Sequence, residues 1–297
     1  MPLYPFKYML ETALQNNFAV GYFQAWNQDS LEAVLEAGEE TGSPLIIGFG
    51  GTPVNQKWLN QWGLPYYAAI GQAAVKKSRI PLSFILNETE TYEQCLRGID
   101  LGFNVVMINS SSLAYVKNLE INKKLVSIAH KNDVAVEAEL GHLPFGSADA
   151  ESSRTDPAEA MEFIKETGID ALSVSIGNVH VLTEGVAWID LDLLKRIRDA
   201  AKVPLVIHGG TGFPEDVVEQ SIELGVAKFN VGTILKKVYY KGLKDMITGI
   251  NDNSDMQSVV GSRDDEDFTA EGKKLVKEKV IELLRLYNSY GKAKLYS

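Results

Sequence analysis

The chain has 297 residues, 45% hydrophobic and 23% charged, with a formal net charge of −10. That length fits one large domain, since roughly 250 residues fill a single α/β barrel, and the acidic balance with no aromatic-interleaved Lys/Arg cluster works against a nucleic-acid partner. No stretch is apolar for long enough to span a bilayer, and MPLYPFKYMLETALQNN lacks the basic-then-apolar order of a secretory signal, so no membrane partner and a cytoplasmic location are expected.

Short apolar runs recur along the chain: FAVGYFQ (18–24), PLIIGFG (44–50), PLSFILN (81–87), NVVMINS (104–110), VAVEAEL (134–140), ALSVSIG (171–177), PLVIHGG (204–210) and AKFNVG (227–232). Runs apolar on both faces are what parallel strands covered by helices require. Helical patterns lie between them. SLEAVLEAGEETG sets Leu31, Val34 and Leu35 on one face and stops at Gly42, while DPAEAMEFIKETG opens with Asp before Pro and closes on Gly168. Cys95, in the helical TYEQCLRGI, is the only cysteine and reads as a small buried core residue. The acidic SRDDEDFTAEG (262–272) reads as a solvated segment ahead of a last helix in EGKKLVKEKVIELLRLYNSYG. Eight β/α units predict one (β/α)8 TIM barrel over 1–297, with an additional C-terminal helix and no linker.

In such barrels the functional groups stand at the C-terminal ends of the strands, so residues that break an apolar run at its end carry weight. Strand three ends in Asn87 and Glu88, strand four in Asn109 and Ser110 to Ser112, and strand five in Glu137 and Glu139. Strand six runs into Asn178 and His180, strand seven into His208, and strand eight into Asn230 and Thr233. Two histidines on neighbouring strands, with Glu88 and Glu139 facing the same rim, point to a divalent metal at that end of the barrel, the alternative being imidazoles that only hydrogen-bond. His130, ending the helical SIAHKND, reads as structural. His142, in the loop after strand five, reads equally as a substrate contact or a plain loop residue. Gly209, Gly210 and Thr211 in GGTG, with Gly232 and Thr233 in NVGT, place flexible backbone where such barrels commonly bind phosphate. Trp58 and Trp62 read as packing between barrel and helix; Trp26 reads equally as packing or as a sugar-stacking face.

The segments FAVGYFQAWNQDSLEAVLEAGEETGSPLII, YEQCLRGIDLGFNVVMI, VAVEAELG, TDPAEAMEFIKETGIDALSVSIGNVH, PLVIHGGTG and GVAKFNVGT resemble the class II, metal-dependent fructose-bisphosphate and tagatose-bisphosphate aldolases over nearly the whole chain. The resemblance implies a zinc-type ion that stabilises an enediolate while a carbon–carbon bond breaks or forms. It carries over His180 and His208 as metal ligands and Glu139 as an auxiliary acid. Gly209, Thr211, Asn230 and Thr233 become phosphate- and ketose-binding turns. It also implies a homodimer or homotetramer.

The departures are informative. Where the family has an Asp-His pair, this chain has Asn87-Glu88, and a carboxamide orients an oxygen but cannot exchange a proton near neutral pH. Glu88 as third ligand gives two imidazoles and a carboxylate, a set suited to Zn2+, Mn2+, Co2+ or Fe2+. Val181 stands where a glycine is usual, and Gly232 where many relatives have a polar residue. In HLPFGSADAESS, Asp149 and Glu151 are the nearest carboxylates to the family's glutamate base. The expected function is therefore a divergent lyase on a ketose or ketose phosphate, with Asn87, Glu139, Asp149 and Glu151 as catalytic candidates. The alternatives are a sugar or sugar-phosphate isomerase or epimerase using the same intermediate, or a non-catalytic sugar-phosphate-binding partner subunit.

Overall fold

A computed structural model of the chain describes residues 3–52, 54–144, 146, 153–180 and 187–296. Eight strands, β1 Val20–Ala25, β2 Leu45–Gly50, β3 Leu82–Thr89, β4 Val105–Ile108, β5 Ala135–Leu140, β6 Ala171–Val174, β7 Leu205–Ile207 and β8 Val226–Val231, form a closed barrel in chain order. All neighbours pair in parallel, β8 closing on β1. The expected TIM barrel is thus present.

The helices are α1 Phe6–Gln15, α2 Gln28–Thr41, α3 Gln56–Trp58, α4 Leu64–Lys77, α5 Tyr92–Asp100 and α6 Tyr115–Ala129, then α7 Pro157–Thr167, α8 Leu191–Ala200, α9 Val218–Glu223, α10 Thr233–Ile247, α11 Met256–Val259 and α12 Ala270–Leu286. A π-helical turn, Leu59–Gly63, joins α3 to α4. None of the described helices is long and apolar enough to cross a membrane.

Period-two alternation sorts each strand into two cores. Phe23, Ile47, Phe84, Val136 and Phe229 face the helices. Val20, Tyr22, Ile46, Ile85, Val105 and Val206 face the barrel axis, where Phe6, Met9 and Leu10 of α1 plug the N-terminal end. The helix stops follow the chemistry read from the sequence. Asp156 accepts from the N–H groups of Ala158 and Glu159 ahead of Pro157, and Gly168 ends α7 at φ +73°; a side-chain cap of this kind contributes about 1 kcal/mol.

Strands β6 and β7 are shorter than their apolar runs. After Val174 the chain leaves the ladder because Ser175 pairs instead with Thr155, its N–H donating to the Thr155 hydroxyl and its carbonyl accepting from the Thr155 N–H. After Ile207 the chain delivers His208 and turns at Gly209, φ +73°, where a Cβ would stand 2.2 Å from the Val179 carbonyl oxygen. Cys95 is buried as expected, its sulfur 3.0 Å from the Thr89 hydroxyl, and burial pushes its thiol up to about 12.

The C-terminal helix α12 buries Val276, Val280, Leu283 and Leu284 and packs against both α2 and α10. Gly242 and Gly272 let α10 and α12 cross at backbone contact, since a Cβ on Gly242 would lie 2.5 Å from the Gly272 nitrogen.

The acidic segment before α12 corrects one expectation: it is not uniformly solvated. Asp264 to Glu266 are exposed, but Asp267 is buried and accepts from the N–H groups of Gly261, Arg263 and Thr269 and from the Thr269 hydroxyl. Burial alone would raise its carboxyl; these hydrogen bonds outweigh it and hold the group below its ordinary value. A folded value below the unfolded one, about 3.9, adds stability at neutral pH that is lost as pH falls through the folded value. Asp267→Asn is therefore expected to lower the chemical-denaturation midpoint at pH 7 by about 1–3 kcal/mol equivalent, the cost of unpairing buried donors, and much less at pH 2.5. Equal losses at both pH values would contradict this.

Candidate metal centre and its cavity

The C-terminal ends of the strands surround a cavity of about 310 Å³. Glu88 reaches it by a local irregularity. Asn87 already points inward, so alternation alone would aim Glu88 outward; the β3–β4 register shifts between Leu86 and Thr89, and Glu88 takes φ +51°. This left-handed bulge turns a second consecutive side chain toward the axis. His208 stands at the end of β7. His180 follows β6 and is fixed by its backbone, its N–H donating to the Pro144 carbonyl and its carbonyl accepting from Gly146.

The two imidazoles stack 5.6 Å apart with planes 12° from parallel. Glu88 Oε1 lies 3.3 Å from His208 Nδ1 and 3.9 Å from His180 Nε2. One ligand atom from each of the three residues falls within 4.8 Å of the others. His180 Nε2 is buried and has no hydrogen-bond partner among the described residues. Two imidazole nitrogens and a carboxylate, one nitrogen left without a partner, fit a divalent cation.

The other face of His208 is held from below. Its Nε2 lies 2.9 Å from Glu137 Oε1 and 2.7 Å from the Asn230 carboxamide nitrogen, while the Lys228 ammonium donates to Glu137 Oε2 at 2.7 Å. Glu137 and Lys228 are fully buried. Burial disfavours every charge here, and the ion pairs decide the outcome. Despite burial, the Glu137 and Glu88 carboxylates raise His208 to about 10, and His208 hydrogen bonding with neighbouring positive charge holds Glu88 down at about 2. Lys228 and His208 likewise keep the Glu137 carboxyl below its ordinary value.

Glu139 also lies at the cavity. Its carboxylate accepts from the Ser111 hydroxyl at 2.6 Å and the Ser173 hydroxyl at 3.2 Å, and stands 3.6 Å from His208 Nδ1. On the opposite wall, Gly209 and Thr211 face Gly232 and Thr233. The Thr211 hydroxyl accepts the Ile234 N–H at 3.1 Å, tying the turn after β7 to the start of α10, whose own N-cap residue, Gly232, has no side chain to cap it. Helix starts of this kind favour anions. Lys236, one turn further on, lines the same wall with its ammonium 5.9 Å from the Trp26 ring and no carboxylate partner among the described residues.

The fold thus gathers Asn87, Glu88, Glu139, His180, His208, Gly209, Thr211, Asn230, Gly232 and Thr233 around one cavity. It does not bring Gly210 there: the residue lies behind the turn in a separate cleft with Phe213, Leu283 and Tyr287. Asp149, Glu151 and Val181 fall outside the described residues. Trp62 is 71% exposed, not packed under a helix, because the π turn carries it outward; Trp58 is 38% exposed and meets Tyr67 edge-on. Trp26 packs edge-on against Tyr239. His130 pairs with Asp170 at 2.9 Å, and His142 is exposed at the rim with its backbone bridged to Ser153. Reading run ends alone misses Tyr22, Gln24, Lys228 and Lys236. The parity of 20, 22 and 24 and the lone charge inside AKFNVG are the signals that expose the first three.

The family model for class II fructose-bisphosphate aldolase matches residues 5–292. The chain is 31% identical over 296 residues to a fructose-bisphosphate aldolase of Geobacillus stearothermophilus, covering 99% of each protein. Among solved structures, it is similar to the YdjI aldolase of Escherichia coli K12, at 28% identity and TM-score 0.80 over 98% of this chain and 99% of that one. It is also similar to a putative fructose-1,6-bisphosphate aldolase of Coccidioides immitis, at 26% identity and TM-score 0.83 over 98% of each.

Proposed function

Because the chain belongs to the class II fructose-bisphosphate aldolase family, we propose that it is a divergent metal-dependent carbon–carbon lyase acting on a ketose or ketose phosphate through an enediolate. The observation that carries this reading is the convergence of Glu88, His180 and His208 ligand atoms within 4.8 Å at the cavity. These residues would hold Zn2+, or Mn2+, Co2+ or Fe2+, through a Glu88 oxygen, His180 Nε2 and His208 Nδ1. When bound, such an ion supplies Lewis-acid polarisation of a carbonyl.

The remaining work falls to the chain's own groups. Gly209 and Thr211, with Gly232 and Thr233, receive the phosphate or another anionic end, with the Lys236 ammonium beside them. Glu139, or one of Asp149 and Glu151, takes the proton from the carbon next to the carbonyl. Asn87 orients a substrate hydroxyl without exchanging its proton. Glu137, by accepting from His208 Nε2, leaves Nδ1 for the ion. The unit acts as one domain in the cytoplasm, as a homodimer or homotetramer. Asn87 also favours a second reading, an isomerase or epimerase, since it leaves that position without a group to protonate the alkoxide of a new carbon–carbon bond.

Zinc-loaded protein incubated with dihydroxyacetone phosphate in heavy water is expected to exchange one carbon-bound proton. Exchange with carbon–carbon bond formation across an aldehyde panel supports the lyase, and exchange without it the isomerase. Protein that binds no metal in excess zinc and exchanges nothing sinks both. Glu88→Gln, which keeps size and removes charge, is expected to weaken zinc binding at least ~100-fold by calorimetry, because losing a ligand's outer partner already costs about 10–100-fold. Unchanged affinity would remove Glu88 from the site.

A further inference from the structure

The floor of the cavity carries a hydroxyl that neither packing nor the proposed mechanism uses. Tyr22 points inward from β1, is 1% exposed and lines the cavity, yet its hydroxyl has no hydrogen-bond partner among the described residues. The carboxamide oxygen of Asn87, on the same cavity, is also buried without a partner among the described residues. An unpaired buried hydroxyl is destabilising, and phenylalanine would fill the same space without it. A hydroxyl retained against that cost, beside an idle acceptor, awaits a ligand oxygen.

Its position selects which oxygen. Tyr22 is in register with Asn230 on the neighbouring β8, two residues before the Gly232–Thr233 turn, whereas Asn87 lies two strands away on β3. Tyr22 therefore stands on the side of the cavity that receives the anionic, ketose half of the substrate. A phenol ordinarily titrates at about 10, so at neutral pH the group is a protonated donor. The Lys228 ammonium lies 5.1 Å from the ring centroid and holds the ring from below.

Resting on the function proposed above, we infer that Tyr22 is a catalytic residue whose O–H donates a hydrogen bond to the ketose oxygen on which negative charge develops. As the C–H bond next to the carbonyl breaks, its electron pair forms the carbon–carbon double bond, the carbonyl π pair moves onto oxygen, and the proton goes to the carboxylate base. Tyr22 keeps its own proton and shares it with that oxygen. The donor offsets a weakness of the ligand set, since a carboxylate at position 88 carries one more negative charge than an imidazole and lessens the pull of a cation on the carbonyl. Preorganised donors of this kind act where charge appears and need no reorganisation.

The test compares Tyr22→Phe with the wild type, both zinc-loaded, using dihydroxyacetone phosphate in heavy water. The exchange kcat is expected to fall about 100-fold, the loss typical of a single oxyanion donor, with KM within about threefold and zinc affinity within about twofold. Tm should stay level or rise, because an unpaired hydroxyl has been removed; a purely structural tyrosine would lose Tm and leave kcat alone. The ratio of the two kcat values should be the same at pH 6.5 and 8.5. Site-specific 3-fluorotyrosine at position 22, which restores the O–H, is expected to restore exchange. A Phe variant exchanging within threefold of wild type overturns the inference while leaving the proposed function intact, as does a fluorotyrosine protein as slow as Phe. A wild type that binds zinc and exchanges nothing overturns the proposed function, and this inference with it.

Discussion

His180→Ala is expected to abolish metal-dependent exchange, by about 1000-fold or more, while leaving the fold almost untouched. The two effects separate because of where the side chain sits. His180 is 24% exposed in its side chain, its ring nitrogen Nε2 makes no hydrogen bond among the described residues, and its backbone bonds to Pro144 and Gly146 survive truncation. Little stability is lost with the ring. A ligand is lost, however, and Lewis-acid stabilisation worth several kcal/mol, at about 1.4 kcal/mol per tenfold, corresponds to a loss of that size. Calorimetric zinc titration and the heavy-water exchange rate check it against Tm, which should move by no more than about 3 °C. Retained zinc affinity would take His180 out of the ligand set.

Lys228→Met is expected to do the opposite and strike the fold first. Glu137 would be left fully buried without the ammonium and with only the His208 imidazole beside it, and removing one partner of such a buried pair costs about 3–5 kcal/mol. For a chain of this size that corresponds to a fall in Tm on the order of 10 °C. The double variant Lys228→Met with Glu137→Gln should recover most of the loss, because the stranded charge is gone and methionine fills the lysine's volume. The double variant should nonetheless bind zinc about 10–100-fold more weakly than wild type, since a neutral amide orients His208 Nε2 less firmly than a carboxylate. A single variant within 2 °C of wild type would show that the pair contributes nothing.

The architecture was legible in the sequence because two-sided burial leaves unbroken apolar runs, and each run ends where its strand meets the cavity. His180, His208, Asn87 and Asn230 stood out for that reason. Other features depend on geometry that a list of residue types does not carry. Glu88 faces the axis only through a bulge and a left-handed backbone, which a period-two reading would have turned outward. Trp62 is carried into solvent by a π turn inside an otherwise ordinary helical pattern. Tyr22 sits in mid-strand, so attention to strand ends passes over it, although its parity with Gln24 marks its direction. Gly210 shares a motif with Gly209 yet turns its back on the cavity, because one residue in a tight turn is enough to reverse the side presented.

The contact between Gly242 and Gly272 reaches further than helix packing. α10 begins at the cavity wall with Thr233, and nine residues later it is pressed backbone to backbone on α12, which is itself clamped to α2 by Lys273 on Glu32 and Glu36 and by Lys277 on Glu40. The appended helix thereby serves as an external splint for the turn proposed to bind the substrate's anionic end. Tolerance for bulk at those two glycines is set by how precisely the far end of α10 must be aimed.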